Sequence, residues 1–345
     1  MTFTPQSEGL PTGVIPSEYT LRWGVLGCGD VVERKCGPAL QAASGSDIVA
    51  VMRRDAAEAQ AFAARHGIAR WYADADALIA DPDVDVVYIA TWPDTHSDYV
   101  VRCAEAGKSV CVEKPMGRNP VESRRALEAC ERAGVGLWVS YYRRAHPLFE
   151  KARELVWSGA IGTPRRVHMK LQRPVQLSAD GGVPWRLRPE ISGGGRFVDL
   201  GCHMLDWLDH AFGPLRCLES SARSRGEGYT AEDVVRASFQ TERGVAIEGD
   251  WWFCGPESVW HDETRIEGDT GAISFPFFRP GPLVLERSEG RVEHNIASPE
   301  PITMPFIQSL VDQITGKGTC HSTGVSALRT DVVIDEILRT GGLRR

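Results

Sequence analysis

Between Leu21 and Tyr142 short runs rich in Val and Ile alternate with stretches of helical pattern, and this alternation constrains the chain more than any other feature. The runs "LRWGVLG", "DIVAVM", "VDVVYIAT", "KSVCVEK" and "VGLWVSYY" are nearly unbroken in apolar residues, so each reads as a strand covered on both faces. Helical stretches over about 30–43, 55–66 and 120–133, and one ending near Ala106, lie between them, with Gly67 and Gly107 as stops. Strands joined through helices need crossovers and therefore a parallel sheet, the doubly wound α/β class.

After about residue 146 the pattern changes. One helix, "LFEKARELVWSGAIG", leads to a long strand at 164–173, a Pro/Gly-rich loop at 174–195 and a helix at about 195–212. Strand-like runs follow at 215–223, 232–240, 245–253, 257–267 and 271–275, separated by hairpin-type breaks, and helices at about 304–316 and 323–340 close the chain. Runs of strands without intervening helices predict an α+β domain with a large, mostly antiparallel open sheet. The expected organisation is an N-terminal arm over 1–19, a dinucleotide-binding domain over 20–145 and a second domain over 146–345. A length of 345 residues, more than one core usually supports, agrees with two domains.

The net charge of −7 argues against a nucleic-acid binder, which would carry a basic face. No apolar run reaches the ~18 residues of a membrane span. The first twenty residues lack a basic segment followed by an apolar one, so they read as a loose arm and not as a signal peptide. Nine cysteines, an odd number with no CxxC, fit reduced thiols in a cytoplasmic protein.

The first strand runs into Gly27-Cys28-Gly29-Asp30-Val31-Val32. A GxG between strand and helix lets the backbone turn tightly and approach a pyrophosphate at the positive end of the helix. The sixth position of that fingerprint is Val32, where the full pattern has Gly or Ala. At the end of the second strand an NAD site wants an acid, but the chain has Arg53 and Arg54. Two guanidinium groups suit a 2′-phosphate, so NADP(H) is favoured over NAD(H); the alternative is two solvated arginines, with Asp55 on the ribose or capping the helix.

Ligands of open α/β sheets lie beyond the C-terminal strand ends. There the chain places Thr91-Trp92-Pro93 with His96, then Glu113-Lys114-Pro115, then Tyr141, Tyr142 and Arg143. Lys114 reads either as a cleft lysine paired with Glu113 or as an ordinary surface lysine, and a cis bond to Pro115 is an open expectation.

A second constellation is "SGGGRFVDLGCHMLDWLDH", in which Gly193, Gly194 and Gly195 let backbone pass close to something before a helix starts. Asp199 and His203 stand at i and i+4, about 6 Å apart along one face, where a carboxylate can orient the imidazole. Asp206 and His210 repeat the spacing; without a further Cys/His cluster no metal is assigned. Trp185 and Arg186 upstream offer an aromatic wall and an anion or hydroxyl clamp, or merely loop packing.

Taken in order, "GVLGCGD", "IATWPDTH", "VEKPMG", "VSYYRRAHP" and "GGGRFVDLGCHMLD" resemble the glucose–fructose oxidoreductase/inositol dehydrogenase/MocA family over about residues 21–340. The resemblance implies a Rossmann domain, a C-terminal domain whose open sheet often forms a dimer interface, and NAD(P)-dependent oxidation or reduction of sugars, cyclitols and related alcohols, with 1,5-anhydrofructose reductase-like enzymes among the neighbours. It implies that Lys114 sits near nicotinamide and substrate, that Asp199 and His203 handle the substrate hydroxyl proton, and that Arg143 lies near cofactor or substrate. Trp92 replaces the proline of the usual Thr-Pro-Asn loop and is expected to pack on the nicotinamide.

The expected site therefore holds cofactor on Gly27, Cys28, Gly29, Asp30, Val31, Arg53, Arg54, Thr91, Trp92, His96, Glu113, Lys114 and Arg143. It holds a sugar-like substrate on Lys114, Arg143, Trp185, Arg186, Asp199 and His203. Redox-neutral sugar processing on tightly bound NAD and a non-catalytic dinucleotide-binding regulator are the alternatives. A homo-oligomer, dimer or tetramer, through the C-terminal sheet is expected if aromatics such as Trp251 and Phe253 face outward.

Overall fold

The computed structural model describes residues 19–178 and 182–343, so the expected arm lies outside the described residues except for Tyr19. Six strands, β1 (Leu21–Leu26), β2 (Ser46–Met52), β3 (Arg70–Tyr72), β4 (Val86–Ile89), β5 (Ser109–Val112) and β6 (Leu137–Val139), form one sheet in the order β3-β2-β1-β4-β5-β6. Every pairing in it is parallel. This is the doubly wound order, with its reversal beside β1. Strands β4, β5 and β6 are buried along their whole length, as apolar runs sandwiched between helices must be.

The helices of this unit are α1 (Gly37–Ala42), α2 (Ala56–His66), α3 (Ala75–Ile79), α4 (Pro93–Glu105) and α5 (Pro120–Ala133). The single helix expected over 30–43 is split: a π-helical turn, Val32–Cys36, precedes α1. Gly37 is obligatory at that change of pitch, because a Cβ there would stand 2.4 Å from the Val32 carbonyl oxygen. Strand β3 and helix α3 were not anticipated; at three and five residues they are too short to show a period.

The second unit carries α6 (Pro147–Trp157), β7 (Pro164–Pro174), the short α7 (Pro189–Ser192), α8 (Cys202–Phe212), then β8 (Leu215–Arg223), β9 (Val234–Thr241), β10 (Ala246–Gly255), β11 (His261–Gly268), β12 (Gly271–Phe275), β13 (Leu283–Arg287) and β14 (Gly290–His294). Its eight-stranded sheet has the order β14-β13-β12-β11-β7-β10-β9-β8 and is antiparallel except for β7 beside β10. Strands β13 and β14 were not anticipated; β14 is an almost wholly exposed edge whose Arg291 and Glu293 discourage further pairing.

Two expectations are corrected here. Trp251 and Phe253 do not face outward: both are buried, with Trp251 Nε1 3.1 Å from Met204 Sδ and its ring 4.9 Å from Phe197. The register sends Ile247, Trp251 and Phe253 to the core and leaves Glu248 and Asp250 on the other face, where they pair with His168 and Arg236. The aromatic argument for a dimer therefore falls, because that face is charged. The chain also does not change domain once. Among the described residues, Tyr19–Gly117, Val121–Tyr142 and Pro299–Val325 form one compact unit, and Arg118–Pro120, those between Arg143 and Ser298, and Ser326–Leu343 form the other. Helix α9 (Met304–Ile314) buries Phe306, Ile307, Leu310 and Val311, and Thr303 Oγ1 donates to Lys35 O, so this late segment packs with the first unit. Helix α10 (Gly324–Thr340) spends most of its length in the second.

Helix α6 begins on a titratable cap. His146 Nδ1 accepts from Leu148 N at 3.2 Å, which requires an unprotonated ring. Burial, aided by the Arg143 charge, pushes its pKa down from 6.5 to about 4. The unfolded chain takes the proton that the folded one resists, so this stability is present above about pH 6.5 and is lost as pH falls to and through 4. A shift of that size is worth at most about 3 kcal/mol. Denaturant unfolding across that window should show the loss in the parent protein and a flatter profile in His146→Asn, which keeps a capping oxygen that does not titrate.

Candidate active site

In the first unit the strand ends enclose a cavity of about 350 Å³. Gly27, Gly29, Arg53, Arg54, Thr91 and Trp92 line it, as expected from the sequence, together with Met52, Ala90, Asp94, Thr95 and Tyr99, which were not. Gly27 adopts φ +90°, and a Cβ on it would stand 2.9 Å from the Thr91 side chain. Its amide and that of Cys28 donate to Met52 O, which locks the turn against the end of β2. Gly29 is open instead: a Cβ there would meet nothing closer than Gly27 O at 4.0 Å, so bare backbone faces the cavity. A phosphate-sized cradle with two guanidinium groups in its lining fits a dinucleotide.

The acid that could have served a ribose is used elsewhere. Asp55 Oδ1 accepts from Ala57 N and Glu58 N and caps α2. Arg53 is half-exposed and leans on Glu58 at 3.2 Å, while Arg54 is exposed. Cys28 is buried, and burial pushes its thiol up to about 11, so it contributes backbone and no reactive sulfur. Asp30 is exposed beside Arg34, and Val31 starts the π-helical turn.

His96 has a different job from the one expected. It is fully buried, with Nδ1 2.8 Å from Pro115 O and Nε2 3.1 Å from Thr91 O. Burial lowers its pKa; a neutral ring has one N–H and so donates to only one of these carbonyls, on the turn after β4 or after β5, while packing against the other. Those turns carry Trp92 and Lys114. The Lys114–Pro115 bond is cis. Glu113 is not a bare partner for Lys114: Tyr88 donates to its Oε1 at 2.8 Å, and the Lys114 amide reaches Oε2 at 3.3 Å.

In the second unit the three glycines pass close to protein groups. A Cβ on Gly193 would lie 2.6 Å from Arg118 O, and one on Gly195 2.3 Å from Glu232 O. The buried Glu232 carboxylate accepts from Gly195 N (2.6 Å) and Val198 N (3.1 Å), so a negative charge caps the segment that follows. That segment is a π-helical turn, Phe197–Gly201, running into α8. Asp199 lies in the π turn and His203 in α8, so the expected i, i+4 pair spans a change of pitch.

The Asp199 carboxylate is engaged by arginines, 3.2 Å from Arg196 Nη1 and 3.4 Å from Arg186 Nε. Arg173, at the end of β7, feels both Arg196 and Asp199. Tryptophan faces back two of these cations: Trp185 lies 4.3 Å from Arg186 and Trp260 4.6 Å from Arg173. The ring of buried His203 meets Phe278 edge-on at 6.3 Å. Arg143, also buried, lies over Phe278, Phe277 and Phe149 at 4.6, 5.0 and 5.1 Å. Sequence reasoning missed Arg173, Arg196 and Trp260; only Arg196 stood inside a quoted motif, next to the glycines.

The apparent stripe of Asp206 and His210 is a structural network. Arg144 grips Asp206 through two bonds of 2.8 Å and reaches Asp209, which Arg329 also holds. His210 lies 3.3 Å from Glu150.

The parallel sheet and the glycine cradle define a dinucleotide-binding architecture, and comparison with known proteins gives its class. Residues 21–141 match the model of the Gfo/Idh/MocA oxidoreductase family with an NAD-binding Rossmann fold, and residues 149–274 match that family's C-terminal domain. Oxidoreductase P35 of Formosa agariphila is 37% identical over 93% of this chain and 98% of its own length. The 1,5-anhydro-D-fructose reductase of Ensifer adhaerens is 30% identical over 93% and 97%. In fold, the aldose–aldose oxidoreductase of Caulobacter crescentus superposes with a TM-score of 0.83 over 94% of this chain and 98% of its own, at 23% identity. The chain belongs to the Gfo/Idh/MocA family and is an NAD(P)-dependent oxidoreductase. No helix among the described residues is long and apolar enough to cross a membrane.

Proposed function

We propose that this enzyme uses NADP(H) to interconvert a secondary alcohol and a ketone on a sugar, cyclitol or related polyol. The observation that carries the cofactor choice is the cavity wall at the end of β2, where Arg53 and Arg54 stand and Asp55 is spent on a helix cap. The likeness to a 1,5-anhydro-D-fructose reductase over nearly the whole chain supports the substrate class.

When bound, the nicotinamide supplies the hydride chemistry. The backbone of Gly27 and Gly29 would cradle the pyrophosphate, Arg53 and Arg54 would grip the 2′-phosphate, and Thr91 and Trp92 would hold the nicotinamide end. Following the family resemblance, His203 gives or takes the proton at the substrate oxygen, and the Lys114 ammonium stabilises negative charge developing there. Asp199 would act from its arginine-held position as a fixed charge within one turn of His203. Homodimerisation, if through the C-terminal sheet, would use its charged face. Nine cysteines with no disulfide among the described residues support a reducing compartment such as the cytoplasm.

Fluorescence titration with NADPH and with NADH, after extraction of any trapped cofactor, tests the reading. NADPH should bind about 10- to 100-fold tighter, the weight of a charge-assisted hydrogen bond or two. Arg53→Asp should erase that preference. NADH binding as well as NADPH in the parent protein would overturn the cofactor choice. Steady nicotinamide absorbance change with substrate separates net oxidation or reduction from redox-neutral processing.

A further inference from the structure

The arginines around Asp199 outnumber what a neutral polyol needs. Arg173, Arg186 and Arg196 share a field with two carboxylates, Asp199 and Asp262. Asp262 is committed: it accepts from the amides of Phe277, Phe278 and Arg279, each at 2.8 Å. Of these two carboxylates, Asp199 is the one that pairs with the arginines, through Arg186 and Arg196. Among the described residues, the Nε atoms of Arg173 and Arg196 are buried and have no hydrogen-bond partner. A buried donor without a partner is costly, and like charges brought together cost more. Burial, aided by a neighbouring arginine in each case, lowers the pKa of both guanidinium ions.

We propose that the substrate is an acidic sugar whose carboxylate docks on Arg173, Arg186 and Arg196, close to the Asp199–His203 segment. A carboxylate accepts two parallel N–H bonds from a guanidinium fork and brings a negative charge to the arginines. Trp185 and Trp260, backing Arg186 and Arg173, offer apolar faces on which a sugar ring can lie. The hydroxyls of a neutral polyol can also accept from these donors, but a carboxylate accepts charge-assisted bonds that are shorter and about twice as strong.

This inference rests on the oxidoreductase reading above, so the test has a turnover arm and a binding arm. Turnover with NADP(H) is measured for hexuronates, the matching neutral hexoses and hexose phosphates. Binding of the same compounds to the cofactor-loaded protein is measured by calorimetry. The hexuronate should exceed the hexose about 10- to 100-fold in both kcat/KM and affinity. Arg186→Gln and Arg173→Gln should remove that advantage through KM and leave NADPH affinity unchanged. Because Arg186 is one-third exposed, its replacement leaves the core alone. Equal use of neutral hexoses, or preference for the phosphates, overturns the carboxylate and leaves the oxidoreductase intact. Loss of NADPH affinity in the arginine variants also overturns it, since the cluster would then read the cofactor. Hexuronate binding that depends on the arginines, with no turnover of any sugar, supports the anion site and sinks the assigned reaction. Absence of both sinks the two together.

Discussion

Replacing His203 by alanine is expected to lower kcat by about 10²- to 10⁴-fold while NADPH affinity stays near that of the parent. The imidazole sits on α8, buried, edge-on to Phe278, with the arginine-held Asp199 one turn before it. A group placed to move a proton at the substrate oxygen affects the step and not the cofactor cradle, which is built from the ends of β1, β2 and β4. His203→Gln keeps size and polarity without proton transfer and should lose nearly as much. A kcat within a few-fold of the parent in both variants would remove His203 from the mechanism. Binding by titration and thermal stability on the same samples separate a lost proton carrier from a damaged fold.

Arg144→Met is expected to cost about 3–5 kcal/mol of folding stability, the largest single loss foreseen outside the apolar core. Arg144, Asp206 and Asp209 are all nearly inaccessible, with side-chain exposures of 5%, 1% and 4%. Burial pushes the Asp206 carboxyl up to about 6 against the pull of Arg144, so the pair is still ionised at pH 7. Removing the arginine strands a buried carboxylate, which is worse than having no pair. Adding Asp206→Leu to Arg144→Met should therefore recover most of the loss, because an apolar pair of similar volume need not be desolvated. Chemical denaturation of the two variants measures it. A double variant no more stable than the single one would mean that Asp206 matters through Thr330 and Asp209 and not through Arg144.

Much of the parallel sheet was legible because its strands are buried on both faces, and that burial writes itself into the chain as unbroken apolar runs. The edges were not. Strand β3 and strand β14 lack such runs, since a short or exposed strand has little to bury. The glycine turn and the two arginines after β2 were legible because a tight βα turn and a strand end allow few residue types, and neighbours in sequence stay neighbours in space. His96 was misread as a cofactor ligand because its partners, Thr91 O and Pro115 O, are carbonyls, and backbone acceptors leave no trace in a residue pattern.

The sequence by itself determined the doubly wound class, the cofactor cradle and the run from Gly193 to His203. It could not determine which face of β10 meets the core, because the pattern Glu-Gly-Asp-Trp-Trp-Phe offers aromatic residues to both sides and only packing against Met204 and Phe197 chooses. Nor could it determine what Asp199 touches. An i, i+4 spacing predicts a partner on the same helix, but a π turn shifts the pitch there, and Arg186, ahead of the glycines, and Arg196 both reach the Oδ2 of the carboxylate. Arg173 joins them from the end of β7. Charges far apart in sequence meet only when the chain folds, so the tertiary structure alone decided that three arginines gather around Asp199.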